Sequence, residues 1–75
     1  MSRLLNKPVP VVTNPQGAPC WVNGWEVLHV CSQDRQRVGA QQGELRRETW
    51  CVKTTGGTIE LHLVRETWIL IKWAT

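Results

Sequence analysis

The amino-acid sequence predicts a small all-β domain, an antiparallel meander of five or six strands closing into an SH3-like barrel or sandwich. Two hairpin signals, Asn23-Gly24 and Gly56-Gly57, lie between apolar segments, and such residues tolerate the φ angles of two-residue turns. Between Trp50 and Leu63 apolar residues recur with a period of two, which is typical of strands with one buried face. A chain of 75 residues is long enough for one domain, residues 1–75, and not two.

Residues 1–13 predict an extended N-terminal arm or an edge strand. Pro8 and Pro10 lack the N–H groups that an internal sheet position requires. The segment that follows, Asn14-Pro15-Gln16-Gly17, has Pro and Gly at the positions that a type I turn prefers.

The first hairpin has Asn23 and Gly24 as its loop. This register places Cys20, Val22 and their partners on one face and Trp21 on the other. The predicted pairs are Val22 with Trp25, Cys20 with Val27 and Trp21 with Glu26.

The second hairpin has Gly56 and Gly57 as its predicted loop. In this register three opposite-charge pairs face each other, and each would contribute about 0.2–1 kcal/mol. The predicted pairs are Lys53 with Glu60, Glu48 with Arg65 and Arg47 with Glu66. The predicted core of the whole domain consists of Val22, Trp25, Val27, Trp50, Val52, Ile59, Leu61, Leu63, Trp68 and Leu70.

The last strand, residues 68–73, is apolar on both faces, so we expect both faces to be covered. The N-terminal arm and first hairpin are expected to cover its back face within one chain, which favours a monomer over a homodimer; the alternative is a second subunit. The residues of this possible interface are Cys51, His62, Val64, Ile69, Ile71 and Trp73. Between the hairpins, residues 32–44 lack strand alternation and contain two glycines, which predicts a long surface loop.

Cys51 and His62 would face each other across the second hairpin, but neither a metal site nor a catalytic site is predicted. A structural zinc site usually has close Cys-x2-4-Cys pairs, and the nearest pattern here is His29-x-Cys31. A cysteine nucleophile needs an orienting third group and an oxyanion site, and the apolar surroundings would raise its pKa. We therefore expect no enzyme activity, no catalytic residues and no cofactor.

The formal charge of +3 is compatible with a nucleic-acid partner without requiring one. Arg35, Arg37 and Arg46 are outside the predicted ion pairs, and Trp21 faces away from the predicted core. Loop cations with an exposed aromatic side chain are typical of domains that bind single strands. The sequence thus favours a nucleic-acid-associated accessory module that binds single- or double-stranded nucleic acid. The alternative is a protein-interaction module that uses a sheet edge or the apolar back face.

Three cysteines cannot all pair within one chain, which is unusual for a small secreted domain. The first residues contain no signal-peptide core, and the longest apolar run, Trp68-Ile-Leu-Ile, is broken by Lys72 and is too short to cross a bilayer. We therefore expect a cytoplasmic protein without a membrane partner.

Several landmarks together resemble a bacterial family of small uncharacterised proteins, known as a domain of unknown function. Related domains are found at the C-terminus of Y-family-DNA-polymerase-like proteins, so the resemblance implies a DNA-repair context. The landmarks are Leu4-Leu5-Asn6-Lys7-Pro8-Val9-Pro10-Val11, the Asn-Pro-Gln-Gly turn, Trp25-Glu26-Val27, Arg47-Glu48-Thr49-Trp50-Cys51-Val52, the Gly-Gly pair, Ile59-Glu60-Leu61 and Trp68-Ile-Leu-Ile-Lys72.

Overall fold

The computed structural model of the chain describes the backbone of residues 2–38 and 45–74 and the side chains of residues 5–35 and 47–74. All neighbouring strands in this part are antiparallel, which confirms the all-β prediction. The strands are β1 (Ser2–Pro8), β2 (Val11–Thr13), β3 (Pro19–Val22), β4 (Trp25–Val38), β5 (Leu45–Thr54), β6 (Gly57–Val64) and β7 (Thr67–Ala74).

The seven strands form one curled sheet, a half-barrel in the order β1-β7-β6-β5-β4-β3-β2. The predicted closure of five or six strands into a barrel is therefore wrong. The two edge strands, β1 and β2, follow each other in the chain, and Val9-Pro10 joins them. Val9 N donates to Trp68 O (3.0 Å), whereas Pro10 O accepts from Asn23 N (2.8 Å). The N-terminal segment thus bends between opposite edges of the sheet, and its two halves do not pair with each other in the described structure.

The core face of the sheet carries the alternation expected from the sequence. Its buried apolar side chains are Val9, Val22, Trp50, Val52, Ile59, Leu61 and Leu70, and Leu5, Val11, Ala18, Trp25, Val27, Trp68 and Trp73 pack against them. The other face of the sheet is called the outer face below.

The first hairpin has the predicted turn. Asn23 and Gly24 have φ angles of 52° and 86°, and they connect the predicted pairs Val22–Trp25 and Trp21–Glu26. The predicted pairing of Cys20 with Val27 does not form, because β4 leaves β3 after two rows and Val27 pairs with Thr54 on β5.

The second hairpin turns one residue earlier than predicted, at Thr55-Gly56, so the three predicted ion pairs do not form. Thr54 Oγ1 fixes this turn by accepting from Gly56 N (3.1 Å) and donating to Gly57 O (2.7 Å). Each residue of β5 thereby faces a partner two positions from the predicted one, which preserves the buried face. The observed partners are Thr58 for Lys53, Leu63 for Glu48 and Val64 for Arg47.

The predicted surface loop over residues 32–44 is wrong for residues 32–38, which continue β4, whereas residues 39–44 lie outside the described structure. The register pairs Ser32 with Cys51 and Val38 with Leu45. Every side chain from Ser32 to Arg35 is exposed. A strand exposed on both faces has no apolar alternation, and for this reason the sequence pattern resembled a loop.

Two expectations about the outer face are also wrong. The first hairpin does not cover it, because β2 and β3 extend the same sheet and direct Val22 into the core. Trp73 does not lie on it, because a bulge at Ile71 changes the phase of β7 and sets Trp73 opposite Ile59 on the core face. The other apolar residues of the possible interface, Val64, Ile69 and Ile71, are half-buried. That the protein is a monomer stays a prediction.

Candidate functional site

An open cleft of about 770 Å³ lies at the end of the half-barrel where β5 begins. Two turns face each other across it, the β2–β3 turn and the β6–β7 turn. The lining residues are Thr13, Gln16, Gly17, Arg35, Glu48, Leu63, Arg65, Glu66 and Trp68. We call this part of the molecule, with the neighbouring Arg37, Arg46 and Arg47, the arginine end.

The β2–β3 turn is at the predicted position, Asn14–Gly17, and its own hydrogen bonds fix its shape. Gly17 N donates to Asn14 O (2.9 Å), and Asn14 N donates to Ala18 O (2.8 Å). The side chain of Asn14 adds two bonds, since its Oδ1 accepts from Gln16 N (3.0 Å) and Ala18 N (2.9 Å). Gln16 and Gly17 therefore line one side of the cleft from a turn whose backbone is held by hydrogen bonds.

The floor of the cleft contains a buried carboxylate, that of Glu48. It lies on the core face of β5 and is only 8% exposed. Its Oε1 accepts a hydrogen bond from Trp50 Nε1 (2.9 Å) and lies 3.7 Å from Arg35 Nε. A buried charge is costly unless it is paired and hydrogen-bonded, and Trp50 and Arg35 provide both kinds of partner.

Arg35 is positioned from two sides. It faces Glu48 across the β4–β5 pair, and the amide oxygen of Gln33, oriented to satisfy the contact, accepts from Arg35 Nε (2.8 Å) and Nη2 (3.0 Å). The side chain of Arg35 is nevertheless 59% exposed. A guanidinium has five N–H donors, so Arg35 retains donors for a ligand in the cleft.

Two further arginines with described side chains lie at this end of the sheet, and one of them, Arg47, is on the outer face. Arg65 lies in the β6–β7 turn with φ 59°, and Arg47 pairs with Val64 just before that turn. Both side chains are exposed. Of the residues predicted to bind nucleic acid, Arg37 and Arg46 are cross-strand partners, and their side chains lie outside the described structure.

Trp21, the aromatic residue predicted to act with these arginines, is not at the arginine end. It pairs with Glu26, nine positions before Arg35 on β4, and since two of these positions are bulges, the distance along the strand is about 23 Å. Trp21 is 47% exposed and lies on the outer face, next to its partner Val12, whereas Arg35 lies on the core face. Trp21 and Arg35, which were predicted to act in one site, are therefore far apart and on opposite faces of the sheet.

Cys51 and His62 do not face each other as predicted, since the corrected register pairs Cys51 with Glu60 and His62 with Thr49. His62 Nε2 lies 3.1 Å from Glu60 Oε2 on the outer face. Within the described residues, no three His, Cys, Asp or Glu side chains are placed to hold a metal ion.

Glu48, Gln33 and Trp68 were not predicted from the sequence as parts of one site. A signal for Glu48 was present, because the alternation Glu48, Trp50, Val52 places a carboxylate on the buried face of a strand. The role of Gln33 had no such signal, since it depends on β4 continuing past residue 32.

No family model matches the chain, and neither the curated proteins nor the solved structures compared with it give a match. The resemblance to an uncharacterised bacterial family therefore stays a prediction. No helix in residues 2–38 and 45–74 is long and apolar enough to span a membrane.

Proposed function

We propose that the protein is a nucleic-acid-associated accessory module and that its arginine end contacts the phosphate backbone. The observation that carries the proposal is Arg35, which Gln33 and Glu48 hold in place while most of its side chain stays exposed. A positioned guanidinium with free donors suits the planar geometry of phosphate oxygens. The DNA-repair context is what the family resemblance implies.

The arginines around Arg35 support the same function. Five of the nine Lys and Arg residues are at the end of β4, at the start of β5 and in the β6–β7 turn. The backbone register sets Arg37 directly opposite Arg46. Two carboxylates line the cleft, those of Glu48 and Glu66. Only Glu66 is exposed, because Glu48 is buried.

The cleft also has an apolar side for a base. Trp68 and Leu63 are cross-strand partners, both are half-buried, and both line the cleft beside Arg35. Base stacking on an aromatic side chain contributes about 1–3 kcal/mol per base and tolerates any sequence. The arrangement thus favours a flexible single strand whose bases reach Trp68 while its phosphates contact the arginines.

The test is a titration of labelled single- and double-stranded oligonucleotides at several salt concentrations. Contacts through about three cations give a log–log slope of affinity against salt of about −2 to −3. The variant Arg47→Gln with Arg65→Asn removes two of these charges, and Asn tolerates the positive φ at position 65. We expect it to reduce the slope by about 1.5.

Lys53→Gln with Lys72→Gln is the matched control, because it changes the net charge equally and both lysines are exposed away from the arginine end. The control and Trp21→Ala should keep the wild-type slope. If the two double variants reduced the slope equally, net charge alone would drive binding. Absence of salt-sensitive binding at tens of micromolar protein would exclude the nucleic-acid function.

A free strand edge supports the alternative, a protein-interaction module. Since β3 pairs with β4 only at Trp25 and Glu26, one edge of β4 has no strand neighbour from residue 27 to 38 in the described structure. A partner strand can be added to such an edge, although bulges at Leu28 and Cys31 shorten its regular part. This alternative predicts a protein partner whose binding is lost in Leu28→Asp but kept in the Arg47 and Arg65 double variant.

A further inference from the structure

Two cysteines on neighbouring strands, Cys31 on β4 and Cys51 on β5, meet at a bulge. Val30 pairs with Val52 and Ser32 pairs with Cys51, so Cys31 is the one extra residue between these rows. In such a bulge two residues of one strand oppose a single residue of the other. Cys31 and Ser32 therefore both lie opposite Cys51. Cross-strand partners have Cα atoms about 4.5–5.5 Å apart, within the range that a disulfide spans.

The two thiols differ in accessibility. Cys31 is exposed, Cys51 is half-buried, and both are free. Burial raises the pKa of the Cys51 thiol, and the adjacent Cys31 raises it further. A reagent in solution therefore reaches the sulfur of Cys31 first, and Cys51 is placed to react second from within the protein.

We propose that Cys31 and Cys51 form a reversible dithiol–disulfide site that exchanges with low-molecular-weight disulfides such as oxidised glutathione. The Cys31 thiolate attacks one sulfur of the reagent, which forms a mixed disulfide and releases one thiolate. Cys51 loses its proton and attacks the sulfur of Cys31, which releases the second thiolate. The protein is oxidised by two electrons and the reagent is reduced to two thiols.

The third cysteine provides a control within the same chain. Cys20 lies on β3, and its Sγ is 3.9 Å from Ala18 O. Neither Cys31 nor Cys51 is a strand partner of any β3 residue. Cys20→Ser therefore leaves the proposed pair intact and removes the competing thiol.

The experiment exposes folded Cys20→Ser protein to oxidised glutathione and follows its mass. The expected product has lost the mass of two hydrogens and carries no adduct, and dithiothreitol restores the starting mass. Cys31→Ser and Cys51→Ser, each in the Cys20→Ser background, should instead hold at most one glutathionyl group. Circular dichroism of each reduced variant checks that it is folded.

The oxidised Cys20→Ser protein should melt at least about 5 °C above its reduced form, because the bond closes the loop between β4 and β5. A stable glutathionyl adduct on Cys31 without an internal disulfide would overturn the proposal. A disulfide-linked dimer in place of the internal bond would overturn it as well.

Discussion

The half-barrel has a pair of tryptophans near each end, and the two pairs differ in their packing and in their hydrogen bonds. At one end Trp25 and Trp73 stack with ring centroids 5.9 Å apart, and Trp73 Nε1 donates to Gly56 O (2.8 Å). We call this the tryptophan end. Towards the arginine end, Trp50 and Trp68 are tilted by 58° at 6.4 Å. There the indole of Trp50 donates to the carboxylate of Glu48, and the cleft opens beside it.

The difference lies in what each indole N–H binds. A backbone carbonyl in a turn is neutral and requires no counterion, and at the tryptophan end the two stacked indoles pack directly against Gly56. A buried carboxylate requires a cation, and Arg35 reaches Glu48 from an exposed position. The same residue type therefore stabilises the core at one end and orders a polar site at the other.

The largest expected effect on stability comes from removing the indole of Trp50, which joins the core to the arginine end. Trp50 is 2% exposed, and Trp50→Ala should reduce the free energy of unfolding by about 3–5 kcal/mol, comparable with the whole stability of so small a domain. Trp21→Ala is the control, since Trp21 is 47% exposed and its loss should cost far less. Urea or thermal denaturation measures both. A cooperative transition near the wild-type midpoint for Trp50→Ala would contradict the core assignment.

Two glycine variants compare the ends directly. A Cβ at Gly56 would collide with the indole ring of Trp25, so Gly56→Ala should cost about 1–3 kcal/mol through overpacking. A Cβ at Gly17, in the wall of the cleft, would meet nothing within 4 Å. Gly17→Ala should therefore cost only the strain of its φ of +87°, about 1 kcal/mol. Equal losses in urea denaturation would mean that the tryptophan end is no tighter than the cleft.

The smallest expected effect is at the ion pair of the cleft. Arg35→Gln should lower the free energy of unfolding by about 0.5–1 kcal/mol, because the guanidinium is more than half exposed. In a Glu48→Gln background the same change should cost less, since the carboxylate that needs Arg35 is gone. A double-mutant cycle by urea denaturation measures this coupling. Additive effects would show that Arg35 does not compensate the charge of Glu48.

Local patterns in the sequence predict the core face well. The predicted core residues from Val22 to Leu70 are buried or pack against the core, except Leu63, which lines the cleft. The alternation identifies the buried face even where the predicted register is wrong. In the second hairpin the observed partners differ from the predicted ones by two positions, and a shift by an even number keeps each side chain on its face. The three charge pairs were lost in the same shift, since each depended on one specific register.

Tertiary contacts decide the features that the sequence could not predict. The turn at Thr55-Gly56 is held by Thr54 and is also contacted by Trp25 and Trp73, which are far away in the chain. The position of Trp73 depends on a bulge at Ile71, and nothing in the alternation of β7 indicates one. The end of β4 carries Arg35, which lines the cleft. This part of β4 was not predicted, because its exposed polar residues have the sequence pattern of a loop.

The most direct test of the proposed function uses the five tryptophans as probes at known positions. Each indole N–H gives its own signal in an ¹⁵N-correlated NMR spectrum, and a single-stranded oligonucleotide can be titrated at low salt. The signals of Trp68 and Trp50 should shift, while those of Trp21, Trp25 and Trp73 should stay in place. Shifts centred on Trp21, or on the stacked pair Trp25 and Trp73, would contradict the assignment of the arginine end as the binding surface.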